Sequence, residues 1–143
     1  EKVSISCINL ARAQLDCNYY GDTSKLVSRA LNIDKTLYGQ DYLRMADCYE
    51  MSSRAECQEW AVEDKRDYPP KRFFEAQASL FLESLRIKVK CFGKLHLDTA
   101  QTAMYLGQCY EDKGAKNEAN KWFRRCFQIR RELLGDHPCT RRA

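Results

Sequence analysis

Only two histidines occur in the 143 residues, His96 and His137. The eight cysteines include no Cys-x-x-Cys pair, so the four ligands of a zinc site have no workable spacing. A glycine-rich loop that could cradle phosphates is also missing. Catalysis needs a nucleophile, a base and an oxyanion or metal site that converge in space, and these shortages leave that set hard to assemble. We expect no catalytic residue, no metal and no cofactor, and hence a protein that is not an enzyme. No apolar run approaches the roughly 18 residues of a transmembrane helix. Low-complexity stretches, strand patterns and interdomain linkers are not found either. The start at Glu1-Lys2-Val3 carries no initiator Met and no signal-peptide pattern. With an end just past a repeat linker, that start suggests a fragment of a longer chain.

What is present is a repeat. Charged residues make up 31% and hydrophobic ones 44%, ordinary for a globular chain. At this length one domain buries about two-thirds of its unfolded surface. Three glycines, Gly39, Gly93 and Gly135, each close a similar stretch. These run Ala30-Leu-Asn-Ile-Asp-Lys-Thr-Leu-Tyr-Gly39, Ser84-Leu-Arg-Ile-Lys-Val-Lys-Cys-Phe-Gly93 and Cys126-Phe-Gln-Ile-Arg-Arg-Glu-Leu-Leu-Gly135. The last two glycines are 42 residues apart and the first two 54, which leaves 12 extra residues in the middle unit. A period near 40 suits paired-helix repeats. In the last unit Leu106, Gly107, Cys109 and Tyr110 share one helical face. Ala119, Trp122, Phe123, Cys126, Phe127 and Ile129 then form the apolar stripe of a second helix, stepping by threes and fours.

These residues resemble a family. Leu106-Gly107-Gln-Cys-Tyr110 with Ala119, Phe123 and Cys126 is similar to the Leu-Gly-x-x-Tyr…Ala…Phe…Ala pattern of a tetratricopeptide repeat. The turns Gly93-Lys-Leu-His96-Leu-Asp98-Thr-Ala100 and Gly135-Asp-His-Pro138 resemble the Leu-Gly-x-Asp-His-Pro-Asp-x-Ala linker of the kinesin-light-chain-like subtype. Gly39-Gln-Asp41-Tyr-Leu-Arg-Met-Ala46 is a weaker copy, and Ile8-Asn9-Leu10-Ala11 resembles that subtype's first helix. Gln14 stands where the first repeat should carry its aromatic, and Ser52-Ser53 replace Leu-Gly in the second. The resemblance implies an all-α fold: an α-solenoid of about three antiparallel helix pairs in a right-handed superhelix. The single domain 1–143 would hold repeats at 2–39, 41–93 and 97–135, with an insertion at 54–70 in the middle one.

Helices are expected at about 2–19, 22–38, 41–64, 71–92, 97–113 and 116–134. Asp22 and Thr23 would cap the second, the glycines would close helix C-termini, and Pro69-Pro70 would start the fourth. The insertion would extend the third helix and end in a charged loop at 63–67. Cys48, Cys109 and Cys126 fall at small core positions of the repeat pattern, where a free thiol behaves as a small hydrophobe. That favours reduced cysteines in a cytoplasmic protein, with disulfides as the alternative and a ciliary or cytoskeletal location as a variant.

Arrays of this family bind peptides along the first helix of each repeat, so the resemblance implies a protein-interaction module, an adaptor or scaffold. A peptide segment or partner helix would lie in the concave groove. The groove residues would be Asn9, Arg12, Glu50, Met51, Arg54, Met104, Tyr105 and Gln108, with Ile5, Ile8, Asp47, Gln101 and Glu111 beside them. Asn9 could clamp a peptide backbone through its amide donor and acceptor. From Lys121 to the C-terminus there are seven cations and two anions. Arg124, Arg125, Arg130 and Arg131 form a basic patch there that could meet an acidic partner, nucleic acid or an anionic surface. Its simpler role is a solvated helix face whose cations complement the C-terminal dipole. Trp122, Phe123 and Phe127 read as buried, which disfavours nucleic acid as partner. An accessory helical domain of a larger enzyme and self-association stay open.

Overall fold

The computed structural model describes residues 1–17, 22–62 and 71–135, apart from the side chains at 58, 61 and 62. Among them run six helices: α1 (Lys2–Asp16), α2 (Thr23–Tyr38), α3 (Leu43–Val62), α4 (Lys71–Phe92), α5 (Leu97–Asp112) and α6 (Lys116–Leu134). The fold is all-α. Every helix lies within three residues of its expected bounds, because apolar spacing and glycine or proline breaks mark the ends independently. The chain divides into two compact units, Glu1–Pro69 and Pro70–Ala143.

In the first unit α1, α2 and α3 run antiparallel in succession. Ser4 near the start of α1 bonds Asp34 near the end of α2. At the other end Thr23 Oγ1 donates to Gln14 Oε1 at 2.9 Å, and Ser24 Oγ to Glu59 Oε1 at 3.3 Å. The core between them holds Cys7, Ile8, Ala11, Leu15, Val27, Ala30, Cys48, Met51 and Ala55. Burying such side chains contributes about 1.5–3 kcal/mol for each large aliphatic.

The second unit repeats this layout with α4, α5 and α6. Lys88 Nζ on α4 donates to Thr102 Oγ1 on α5 at 3.1 Å, and Lys113 pairs with Glu75 at 2.8 Å. Arg130 Nη2 on α6 donates to Gln101 Oε1 on α5 at 3.1 Å. One apolar cluster joins Ala78, Phe81, Leu85 and Leu106; another joins Ala100, Ala103, Cys126 and Ile129.

The closing glycines behave as read. Gly39, Gly93 and Gly135 have φ of 82°, 85° and 59°, and each donates its N–H to the carbonyl four residues back. A left-handed φ favours a residue without Cβ. Gly107 is glycine for another reason. A Cβ there would lie 2.5 Å from Cε1 of Phe123, so the close approach of α5 and α6 depends on its absence.

Three expectations need correcting. Asp22 is the residue preceding α2 but makes no side-chain cap bond; it accepts from Lys25 Nζ at 3.0 Å instead. Thr23 is the first residue of α2, is buried, and donates to Gln14 Oε1. Trp122, Phe123 and Phe127 are half-buried rather than buried. Within the 54–70 insertion α3 continues helical to Val62, whereas the loop expected at 63–67 and Pro69-Pro70 lie outside the described residues.

Candidate interaction surface

In the first unit α1 packs beside α3 as well as against α2. Asn9, Arg12 and Arg54 are exposed, Asp47 is exposed and Glu50 is half-buried. Arg54 Nη2 lies 3.8 Å from Asp16 Oδ1, an exposed pair linking the two helices; such pairs contribute about 0–1 kcal/mol. The surface offers an amide and two guanidinium groups that are not committed to the core. Met51 is different. It is 5% exposed and belongs to the core cluster with Cys48 and Ala55, so its thioether is not available to a ligand. The buried face of α3 is wider than the sequence reading allowed and takes in this position. Ile8 is buried too, whereas Ile5 is exposed.

On α5 Gln108 and Glu111 are exposed. Met104 is half-buried against the Ala100–Cys126 cluster. Tyr105 is half-buried with its ring 5.4 Å from Phe81. Gln101 is engaged by Arg130. The basic patch is likewise partly committed. Arg125 lies over the Trp122 ring at 5.5 Å, and Arg124 and Arg131 are exposed. His96, the residue preceding α5, accepts from the Asp98 N–H through Nδ1 at 3.1 Å and stacks on Phe92 with centroids 4.2 Å apart. His137 lies outside the described residues.

A buried ionic site went unread in the sequence. Asp34 is fully buried and receives Nε and Nη2 of Arg44, both at 2.8 Å, together with the Ser4 hydroxyl at 2.6 Å. Burial alone would raise its pKa, but the bonds from Arg44 and Ser4 and the charge of Arg44 outweigh that, and the carboxyl is held below the usual range. The Arg44 guanidinium in turn lies 5.1 Å from the Tyr42 ring and 5.9 Å from Tyr38, which stack on each other at 4.2 Å. Nearby, burial and then the charges of Asp34 and Asp47 push the Cys48 thiol up to about 12.

Residues 99–138 match the tetratricopeptide repeat family. This supports a tetratricopeptide-repeat protein. Comparison with curated proteins gave no significant match. The matched segment takes in the α5–α6 pair, and spacings around the closing glycines recur elsewhere in the chain. Tyr38 and Tyr42 stand one residue before and three after Gly39; Phe92 and His96 stand likewise around Gly93. Both ring pairs stack at 4.2 Å, so the two repeat turns share one construction. Counting from the glycines would also have exposed the ionic site. Asp34, Lys88 and Arg130 each precede a closing glycine by five residues, and a charged residue recurring at one helical position is a signal that single-helix periodicity misses. Among the described residues no helix is long and apolar enough to cross a membrane.

Proposed function

We propose that this chain is a protein-interaction module of the kinesin-light-chain-like tetratricopeptide subtype, serving as an adaptor or scaffold rather than an enzyme. The observation that carries the proposal is the family match at 99–138, since tetratricopeptide repeats generally mediate protein–protein interaction. The exposed face of α1 and α3 in the first unit, with Asn9, Arg12 and Arg54, is one contact surface for a peptide. The face of α5 bearing Gln108, beside half-buried Met104 and Tyr105, is another. Asn9 would hold the peptide backbone and the arginines its carbonyl or carboxylate groups. A cytoplasmic setting belongs to the same proposal, supported by Cys48 and Cys126 acting as buried free thiols.

The test is capture of a partner by this chain, mapping of the bound segment to a short peptide, and titration of that peptide against Asn9→Ala, Arg12→Ala and Gln108→Ala. All three residues are exposed, so the fold should survive, as circular dichroism will report. We expect at least one substitution to weaken the peptide by roughly tenfold, the scale of a hydrogen bond to a charged or well-placed group. Unchanged affinity in all three would defeat the proposal.

A further inference from the structure

Phe92, Leu95 and Leu97 bracket the turn between α4 and α5, and all three are exposed, at 38%, 53% and 45%. Exposed apolar residues scattered singly are ordinary, whereas a contiguous group marks a contact. None of the three belongs to the apolar clusters of the second unit, so core packing does not select them. The earlier repeat turn is built differently. One and two residues after the closing glycine it carries Gln40 and Asp41, where this turn carries Lys94 and Leu95. A polar pair gives way to a cation and a large aliphatic side chain. The space around the turn is open, since a Cβ on Gly93 would meet no atom within 4 Å.

The turn is also held in one form. Gly93 N–H donates to Val89 O at 2.8 Å, Thr99 Oγ1 to Gly93 O at 3.3 Å, and Asp98 N–H to His96 Nδ1 at 3.1 Å. The His96 ring braces Phe92 by stacking. A preformed surface loses little conformational freedom on binding. Its apolar side chains come from the end of α4, the turn itself and the start of α5. They form a tip at the end of a helix pair, not a stripe along one helix. A stripe suits a helical ligand; a tip suits a surface that yields around it.

Charge says which surface. Lys90 and Lys94 are exposed beside the tip, and between residues 86 and 98 four cations stand against one anion, Asp98. Asp98 lies in the first turn of α5, where the helix dipole offsets its charge. Anionic headgroups attract lysines held within a Debye length of them, and apolar side chains between those lysines reach the acyl boundary. Single-stranded nucleic acid would need free aromatic faces, and Phe92 already has one face against His96.

We propose that the α4–α5 turn inserts peripherally into an anionic lipid surface, with Phe92, Leu95 and Leu97 entering the headgroup boundary and Lys90 and Lys94 meeting the lipid charge. The contact is separate from the peptide faces that carry Asn9 and Gln108.

The test is co-sedimentation of the whole chain with vesicles of phosphatidylcholine alone and of phosphatidylcholine and phosphatidylserine in equal parts. The chain should bind the mixed vesicles, not the neutral ones, and release as salt rises. Lys94→Glu, and separately Leu95→Ser combined with Leu97→Ser, should each lower the partition coefficient at least roughly tenfold. These positions are exposed, so helical circular dichroism should be retained. Leu95→Trp should add emission typical of water that shifts to the blue on the mixed vesicles alone. Absence of binding, or equal binding to both vesicles, would overturn the proposal. So would binding that survives these substitutions and is lost on Arg124→Glu, which would place the contact on α6. Blue emission from Leu95→Trp before vesicles are added would show that the chain covers its own turn. A concentration-dependent dimer lost on the double serine change would assign the tip to a second copy. Either result overturns the proposal as well, while the Asn9 and Gln108 titrations stand apart, because they use a peptide and no lipid.

Discussion

Asp34 shows how one side chain can tie three helices. Its carboxylate takes a hydroxyl from α1 and a two-pronged guanidinium from the segment that opens α3. A buried pair of this kind adds little over an apolar substitute, but losing one partner leaves the other charge stranded. Asp34→Ala should therefore destabilise the fold by about 3 kcal/mol or more, measured by urea denaturation. Because the folded pKa lies below the unfolded one, the carboxylate's contribution is complete above about pH 4 and is lost as pH falls through the folded value. Acid unfolding of Asp34→Asn should accordingly show a weaker dependence on pH between about pH 5 and pH 2 than the parent; an identical profile would remove Asp34 from the acid response. The same burial governs Cys48. With its thiol pushed up to about 12, it is almost wholly protonated at neutral pH, whereas Cys17, Cys57 and Cys91 are exposed. Reactivity follows thiolate content and access. Iodoacetamide footprinting at neutral pH should label those three well before Cys48, and early labelling of Cys48 would contradict its burial.

At the scale of the element, Gly107 and Phe123 set how closely α5 and α6 approach. A methyl group at Gly107 would press on the Phe123 ring, so Gly107→Ala should destabilise by about 1–3 kcal/mol through overpacking. The first unit already contains the compensated form. Ala11 occupies the Gly107 position there, Val27 occupies that of Phe123, and both are fully buried in one cluster. Combining Gly107→Ala with Phe123→Val should thus be less destabilising than the sum of the two single changes, read from thermal melts as a double-mutant cycle. Strict additivity would show that the two sites do not share the space. Such pairs explain what was legible in the sequence. Helix spans were readable because spacing and breakers act locally, and the turn glycines because a positive φ selects one residue type. Met51 was misplaced because periodicity gives the direction of a face and not its width. Asp34 was passed over because a charge on a helix is usually solvated, and only comparison across repeats shows that its position is sealed by the next helix. The exposed Asn9, Arg12 and Arg54 could be placed on a helix, but nothing in a single chain specifies the ligand they meet.

For the whole molecule, the distribution of core residues is what matters. The cluster from Cys7 to Ala55 lies within the first unit, and those around Phe81 and Ile129 lie within the second. Repeat proteins derive their stability from each repeat and its nearest neighbours, so a lesion is felt locally before it is felt globally. Gly107→Ala should then lower amide-exchange protection in α5 and α6 first, with α1 and α2 retaining theirs under mild conditions. Asp34→Ala should give the converse, opening α1–α3 while the α5–α6 pair stays protected. Native-state hydrogen exchange read by mass spectrometry resolves the two patterns. Uniform loss of protection in both variants would mean that the chain opens as one cooperative body.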